Sequence, residues 1–245
     1  MTRRTRALAV LGAAAYAAFM VALLPARFVV ARLALPLDIA VQEVDGTVWN
    51  GRARVAWSAA PAVTVRWHWR ALPLFAARLA YDLEADGAGV QARTRLARGL
   101  TRWTLENAEL RGDASAAAAF LPLLAPWQPG GRIELIAPRL AWDGREVTGS
   151  ADVRWTDAAL ALAPVRPLGT YTVHLEGTGG PARVRISTAQ GALRIAGDGT
   201  LEGLDRIAFT GEARAEGPNA ASLNSLLDLF GPARPDGARA IRWSS

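Results

Sequence analysis

The chain of 245 residues contains no cysteine and no lysine, and it has only two histidines. Without cysteine it can form neither a disulfide framework nor a thiolate metal site. Without lysine it cannot contain a phosphate-binding Gly-x-x-x-x-Gly-Lys loop. The lack of cysteine fits the cytosol as well as an oxidising compartment, so it does not locate the protein.

A patch of basic residues is also missing, although the net charge is +6. Every basic side chain apart from the histidines is arginine, and the arginines are scattered singly among 22 acidic residues. Nucleic-acid-binding domains usually gather their cations into a patch or stripe. We therefore expect no nucleic-acid partner, while a hydrophobic fraction of 51% is sufficient for a folded domain with a core.

No constellation of residues nominates a catalytic or metal site. His68 and His174 each lie on the polar side of a predicted strand, with no carboxylate at ligand spacing beside them. Glu84 and Asp86 share a strand face, as acids that flank a turn commonly do. There is no Gly-x-Ser-x-Gly elbow and no nucleophile with an evident base. The sequence predicts a protein that is not an enzyme and has no cofactor or metal.

The amino-terminal segment predicts a membrane anchor. Three arginines lie within residues 3–6, and the run Ala7–Leu24 that follows has no charge. Eighteen apolar residues are near the lower limit for a membrane-spanning helix, and the arginines in front favour a cytoplasmic amino terminus. We predict a cytoplasmic tip at 1–6, a transmembrane anchor at 7–27 and a periplasmic domain at 28–245. A cleaved signal peptide and a buried helix of a soluble protein are the alternatives.

The rest of the chain has the two-residue period of β-strands. In residues 63–70, Val63, Val65, Trp67 and Trp69 alternate with polar residues, which gives one apolar face and one face that carries arginine. Similar alternation occurs around Tyr171. Glycine-rich stretches at 86–89, 177–180 and 197–199 interrupt these runs and are predicted as turns. The predicted fold is mainly β, a curved antiparallel sheet.

Two parts of the sequence resemble each other. Residues 50–57 and 148–155 have glycine, alanine, valine and tryptophan at the same spacing, and residues 109–126 resemble residues 208–232. An offset of this size suits a duplicated β unit rather than a solenoid. We predict two similar units, about 37–126 and 131–232, each closed by a short helix (near 115–124 and 220–230). We predict a carboxyl-terminal strand after them.

One motif carries a family resemblance. After the anchor comes the element Gly46, Thr47, Val48, Trp49 and Gly51, followed by Trp57 at the end of the same stretch. Together with an Arg-Ala-Leu-Pro-Leu bend at 70–74, a Leu-Pro-Leu-Leu segment at 121–124, the start of a strand at 130–135 and the segment 168–177, it resembles the type II secretion system protein N family. The likeness runs across nearly the whole chain, and the motif transfers only as a marker of the fold.

The resemblance implies an inner-membrane component of the machine that moves folded proteins from the periplasm across the outer membrane. It implies no enzymatic activity and no cofactor. The partners it implies are other inner-membrane or periplasmic secretion subunits, with the secretin as a further candidate. The expected function is that of a scaffold or interaction subunit.

An alternative function follows from the apolar face of the predicted sheet. If the two short helices do not cover that face, its open part would bind lipid acyl chains, as in a lipid-transport protein. The tryptophans discriminate between the two hypotheses. Either other side chains enclose Trp57, Trp67, Trp69 and Trp155 in a core, which their alternation favours, or they line an open trough.

Overall fold

The described residues of the chain form one open antiparallel sheet of thirteen strands, each paired with the next strand along the sequence. The computed structural model describes residues 3–32, 39–57, 62–119, 125–203, 206–228 and 232–244. This confirms the prediction of a mainly β, antiparallel fold. A sheet in which every neighbour is also the next strand in sequence needs only short connections, in keeping with the frequent turn residues.

The bounds of the elements are as follows. The strands are β1 (Ile39–Gly46), β2 (Asn50–Trp57), β3 (Val63–Arg70), β4 (Leu79–Gly87), β5 (Val90–Arg98), β6 (Trp103–Asp113), β7 (Gly130–Trp142), β8 (Val147–Ala159), β9 (Gly169–Gly180), β10 (Ala182–Gly191), β11 (Leu193–Glu202), β12 (Arg206–Ala215) and β13 (Arg239–Ser244). The helices are α1 (Arg3–Ala22), α2 (Ala26–Val30), α3 (Ala114–Ala119) and α4 (Ala220–Leu227), with 3-10 turns at Leu72–Ala76 and Ala125–Trp127.

Strand register carries the alternation of the sequence across the whole sheet. Residues opposite each other in antiparallel strands lie on the same face, so each strand aligns its apolar side chains with those of its neighbours. We call the resulting surface the apolar face; it includes Val65, Leu83, Leu96, Leu110, Leu135, Val153, Val173, Ile186, Phe209 and Ile241. The opposite surface is the polar face; it includes Arg66, Glu84, Arg93, Glu109, Asp152, His174, Arg185, Asp198 and Arg242.

The main core lies where helix α4 covers one end of the apolar face. Leu223 and Leu227 of α4 are almost completely buried against side chains of β9, β11 and β12. Leu168, in the loop before β9, joins them. Helix α3 is a short alanine helix that packs against β6 and β7. Fully burying a leucine side chain stabilises a fold by about 2 kcal/mol, so α4 fixes this end of the sheet.

Two predicted turns are wrong, because their glycines lie inside strands. Residues 197–199 are in the middle of β11, and residues 177–180 form the end of β9. A Cβ atom on Gly197 would lie 2.5 Å from Cζ of Phe209 on β12, and one on Gly177 would lie 2.2 Å from the carbonyl oxygen of Val147. Glycine serves here for close approach between strands rather than for a change of direction.

The order of elements repeats along the described part of the chain. Strands β1–β6 precede α3, and strands β7–β12 precede α4. Residues 50–57 are β2, and residues 148–155 lie in β8, the second strand of the later set. The last strand, β13, pairs with β12, so the carboxyl-terminal segment belongs to the sheet. A duplication of two units stays a prediction.

The amino-terminal segment is helical from Arg3 to Ala22, and a second short helix follows Pro25. Among the residues that the structure describes, no helix meets the length and apolarity needed to cross a membrane.

Candidate functional site

The motif Gly46–Gly51 forms the turn between β1 and β2, and hydrogen bonds within the motif close this turn. Gly46 has a φ of +87°, and a Cβ atom there would lie 2.4 Å from the carbonyl oxygen of Asn50, so this position needs glycine. The backbone N–H of Thr47 donates to that oxygen at 2.8 Å. The Thr47 hydroxyl accepts from the N–H groups of Asn50 (3.1 Å) and Trp49 (3.3 Å). Threonine thus satisfies the turn's own donors.

This turn also binds the end of the amino-terminal helix. The indole N–H of Trp49 donates to the carbonyl oxygen of Val21 at 2.8 Å, and the backbone N–H of Val48 donates to that of Leu24 at 3.0 Å. Pro25 forms an isolated antiparallel bridge with Thr47. We call this set of contacts the junction. It gives the carbonyl oxygen of Val21, near the end of α1, a donor from the sheet in addition to the backbone N–H of Leu24, which lies 3.3 Å away.

Strand β3 supports the turn from the sheet side. The indole N–H of Trp67 donates to the carbonyl oxygen of Thr47 at 3.1 Å, and the rings of Trp49 and Trp69 lie 4.8 Å apart. A Cβ atom on Gly51 would lie 2.4 Å from the Trp67 ring, so glycine makes room for that side chain. The structure therefore brings five motif positions together. The sixth, Trp57, lies at the far end of β2, where its backbone pairs with Ile39, and its side chain lies outside the described residues.

The other tryptophans named in the lipid-binding hypothesis make packing contacts and hydrogen bonds within the protein. Trp155 donates its indole N–H to the carbonyl oxygen of Gly130 at 2.9 Å and packs against Tyr171 in the core. The indole nitrogen of Trp69 is fully buried. Burial raises the pKa of Tyr171 to about 12, and its hydroxyl donates to the carbonyl oxygen of Leu193 at 2.8 Å. Trp67, Trp69 and Trp155 thus contact other protein groups and are half-buried.

The polar face is covered by ion pairs between neighbouring strands. Asp82 on β4 accepts from Arg70 on β3 and from Arg95 on β5, both at 2.9 Å. Partial desolvation works to raise the pKa of Asp82, but the hydrogen bonds from the two arginines outweigh it and hold the pKa below its ordinary value. Arg93 and Glu109 pair in the same way at 2.7 Å. Many arginines of this face are therefore neutralised locally instead of forming a cationic surface.

One of the two histidines has a carboxylate partner that sequence spacing did not show. Nδ1 of His174 on β9 lies 2.7 Å from Asp152 on β8, because strand register places the two residues opposite each other. Both side chains are exposed. Within the described ranges, no group of three or more His, Asp or Glu side chains is arranged to hold a metal ion.

The hollows on the polar face have no catalytic arrangement. The hollow of about 440 Å³ over β9–β12 is lined by His174, Arg183, Arg185, Asp198 and Thr210. Arg185 and Asp198 are paired with each other at 2.9 Å. These groups are exposed, and none forms a pair of nucleophile and base in the part of the chain that the structure describes.

The apolar face is only partly covered. Its central side chains are half-buried; they include Leu105, Leu110, Leu135, Val153, Val173, Leu175, Val184 and Ile186. The accessible surface of the chain is 15728 Å², whereas a compact protein of 26.0 kDa is expected to have about 10500 Å². An open sheet against which the short helices α2, α3 and α4 pack, among the described residues, explains part of this excess.

Comparison with known proteins finds one family. A model of the family "Type II secretion system (T2SS), protein N" matches residues 38–242, which span all thirteen strands apart from the last residues of β13. The chain is 23% identical over 236 residues to the "Type II secretion system protein N" of Pectobacterium carotovorum subsp. carotovorum, covering 94% of this chain and 92% of that protein. No solved structure matches the chain.

Proposed function

This chain belongs to the type II secretion system protein N family, and we propose that it acts in that machine as a scaffold subunit anchored in the inner membrane. The family is a component of a secretion system and not a known enzyme family. The observation that carries the proposal is the family match over 38–242, a region that is one continuous sheet without a catalytic arrangement among its described residues.

The amino-terminal segment supports anchoring. The run Ala7–Leu24 is uncharged, and large apolar side chains of α1, such as Leu11, Tyr16 and Phe19, are exposed. Exposed apolar side chains on a helix are costly in water and favourable in lipid. The three arginines before the run favour an amino terminus in the cytoplasm and a sheet in the periplasm.

Cysteine labelling tests this topology, since the natural chain has no cysteine background. Arg145 is exposed in the turn between β7 and β8, so we expect Arg145→Cys to react with a membrane-impermeant maleimide when only the outer membrane is permeable. Thr5→Cys is the matched control and should react only after the inner membrane is opened. Equal labelling of both variants in intact inner membranes would refute the topology.

The scaffold role is tested by purifying the full chain from its own membranes in mild detergent and measuring co-purified proteins and lipids by mass spectrometry. We expect other secretion subunits to be enriched, with only bulk lipid. Cells without the chain should accumulate exoproteins in the periplasm. Normal secretion together with the absence of every secretion subunit would refute the proposal.

The half-buried centre of the apolar face favours one alternative, a lipid-binding protein. Leucine, valine and isoleucine side chains from neighbouring strands line this region. Acyl chains would cover the same area that a protein partner would. One phospholipid or lipopolysaccharide per chain in the purified sample, without secretion subunits, would favour this alternative.

A further inference from the structure

The two outer edges of the sheet differ in how they are protected. At the β1 edge, Leu24 and Pro25 pair with the turn, and α2 packs against the strand. Glu43 has a φ of +49°, and the pairing of β1 with β2 shifts register beside it, which marks a bulge. Bulges and covering segments are common ways of preventing a strand from being added to an edge.

The β13 edge has no such protection among the described residues. Strand β13 pairs with β12 alone, over six consecutive residues without a register shift. In an antiparallel pair, every second residue of a strand directs its N–H and C=O groups away from the neighbouring strand. The groups of every second residue of β13 therefore point away from β12, out of the sheet edge. A regular edge of this kind is a template for a further strand.

The side chains of β13 indicate what such a strand would carry. Ile241 and Trp243 lie on the apolar face, and Trp243 is 41% exposed. Arg242 lies on the polar face opposite Thr210 and makes no ion pair in the part of the chain described. At interior positions such as Arg93, the neighbouring strand supplies a carboxylate. An added strand would therefore fit with an acidic side chain beside Arg242 and apolar side chains beside Trp243.

We propose that β13 is a docking edge that accepts an extended segment of another protein, with alternating apolar and acidic residues, as a fourteenth strand. A second copy of this chain fits less well, because Arg239–Ser244 contains no acid and the β1 edge is covered. The proposal rests on the proposed scaffold function for its partner, which would be a neighbouring subunit. Its chemistry follows from the edge itself.

The test uses the full chain in detergent and a fluorescent peptide, Thr-Val-Glu-Val-Glu-Val-Thr, with binding followed by anisotropy. We expect Arg242→Glu to weaken binding by about fivefold or more, since it removes an exposed ion pair worth up to about fivefold and adds repulsion between like charges. The same variant should bind a peptide with lysine in place of glutamate more tightly than the natural chain does. Arg145→Glu, an exposed arginine distant in sequence from this edge, is the matched control and should change neither affinity.

A second peptide tests backbone pairing. N-methylation of alternate amides removes the donors that an added strand needs, and we expect it to abolish binding. The proposal would be overturned if the methylated peptide bound as tightly as the unmodified one, or if the natural chain and Arg242→Glu bound the glutamate peptide with equal affinity. It would also be overturned if neither the glutamate peptide nor the lysine peptide bound. A dimer sensitive to Arg242→Glu without peptide binding would overturn it in favour of a second copy. Co-purification of secretion subunits with the natural chain stays an independent test of the proposed function.

Discussion

Replacing Trp49 with phenylalanine should loosen the junction while leaving the sheet folded. Phenylalanine keeps an aromatic ring beside Trp69 but removes the indole N–H that donates to the carbonyl oxygen of Val21. The other hydrogen bond of the junction, from Val48 to Leu24, is unchanged. The substitution therefore separates the attachment of α1 from the packing of the turn.

The size of the effect follows from the two hydrogen bonds. At about 1 kcal/mol each, they hold the junction closed by about 2 kcal/mol, or about 30 to 1. Losing one leaves about 5 to 1, so the open fraction rises from about 3% to about 16%. Trp49→Ala also removes the ring contact with Trp69, worth about 1 kcal/mol, and should further lower the stability of the first hairpin.

The assay is a distance distribution between two spin labels in lipid nanodiscs. The labels are attached to Ala17→Cys on α1 and Gln42→Cys on β1, both exposed positions in a chain without natural cysteine. We expect one narrow distribution for the otherwise natural chain and a second, broader component for Trp49→Phe. Trp103→Phe is the control, because it makes the same exchange at an exposed tryptophan that is not part of the junction. Trp103 contacts Arg98 through its ring face, which phenylalanine keeps. A narrow distribution in Trp49→Phe and Trp49→Ala alike would refute the junction as a restraint.

Three further predictions concern the sheet. Gly197→Ala should lower the free energy of unfolding by about 1–3 kcal/mol in a denaturant titration, because the new Cβ would meet Phe209 on β12. Gly180→Ala is the control and should have little effect, because no atom lies within 4 Å of the position of its Cβ. Tyr171→Phe should cost about 1–2 kcal/mol by thermal unfolding, since it leaves a buried carbonyl group without its donor; a change below about 0.3 kcal/mol would contradict this. Asp82→Asn should destabilise the chain at pH 7, and the difference from the natural chain should disappear as the pH falls below about 4. The pKa of Asp82 is lowered by folding, so its contribution is present above the unfolded value and is lost as the pH falls through the folded one; a constant difference across this range would count against it.

The alternation of side chains was readable from the sequence because a strand has a strict two-residue period. Val63 to Trp69 alternate with polar residues, and strand β3 has its apolar side chains on one face. The same logic failed for the glycines at 177–180 and 197–199. Glycine permits both a turn and a close approach of two strands, and only the partner across the sheet, Phe209 for Gly197, decides between them.

The candidate site was only half predictable. The motif around Trp49 was identified as a marker, but its partner carbonyl group on Val21 lies 28 positions earlier in the chain, and no spacing rule connects the two. The pair of His174 and Asp152 was missed for the same reason, since register between β8 and β9 brings them together. Contacts of this kind depend on which strands are neighbours.

The sequence by itself determined the class of fold, the uncharged amino-terminal run and the family, because each of these is written in local periodicity, composition or motif order. Only the tertiary structure decided that the thirteen strands of the described residues form one open sheet and that α4 covers just one end of its apolar face. It also decided that no described segment protects β13 as an edge. The physical reason is that strand pairing, burial and edge protection arise from contacts between segments distant in sequence. Such contacts exist only when the chain has folded.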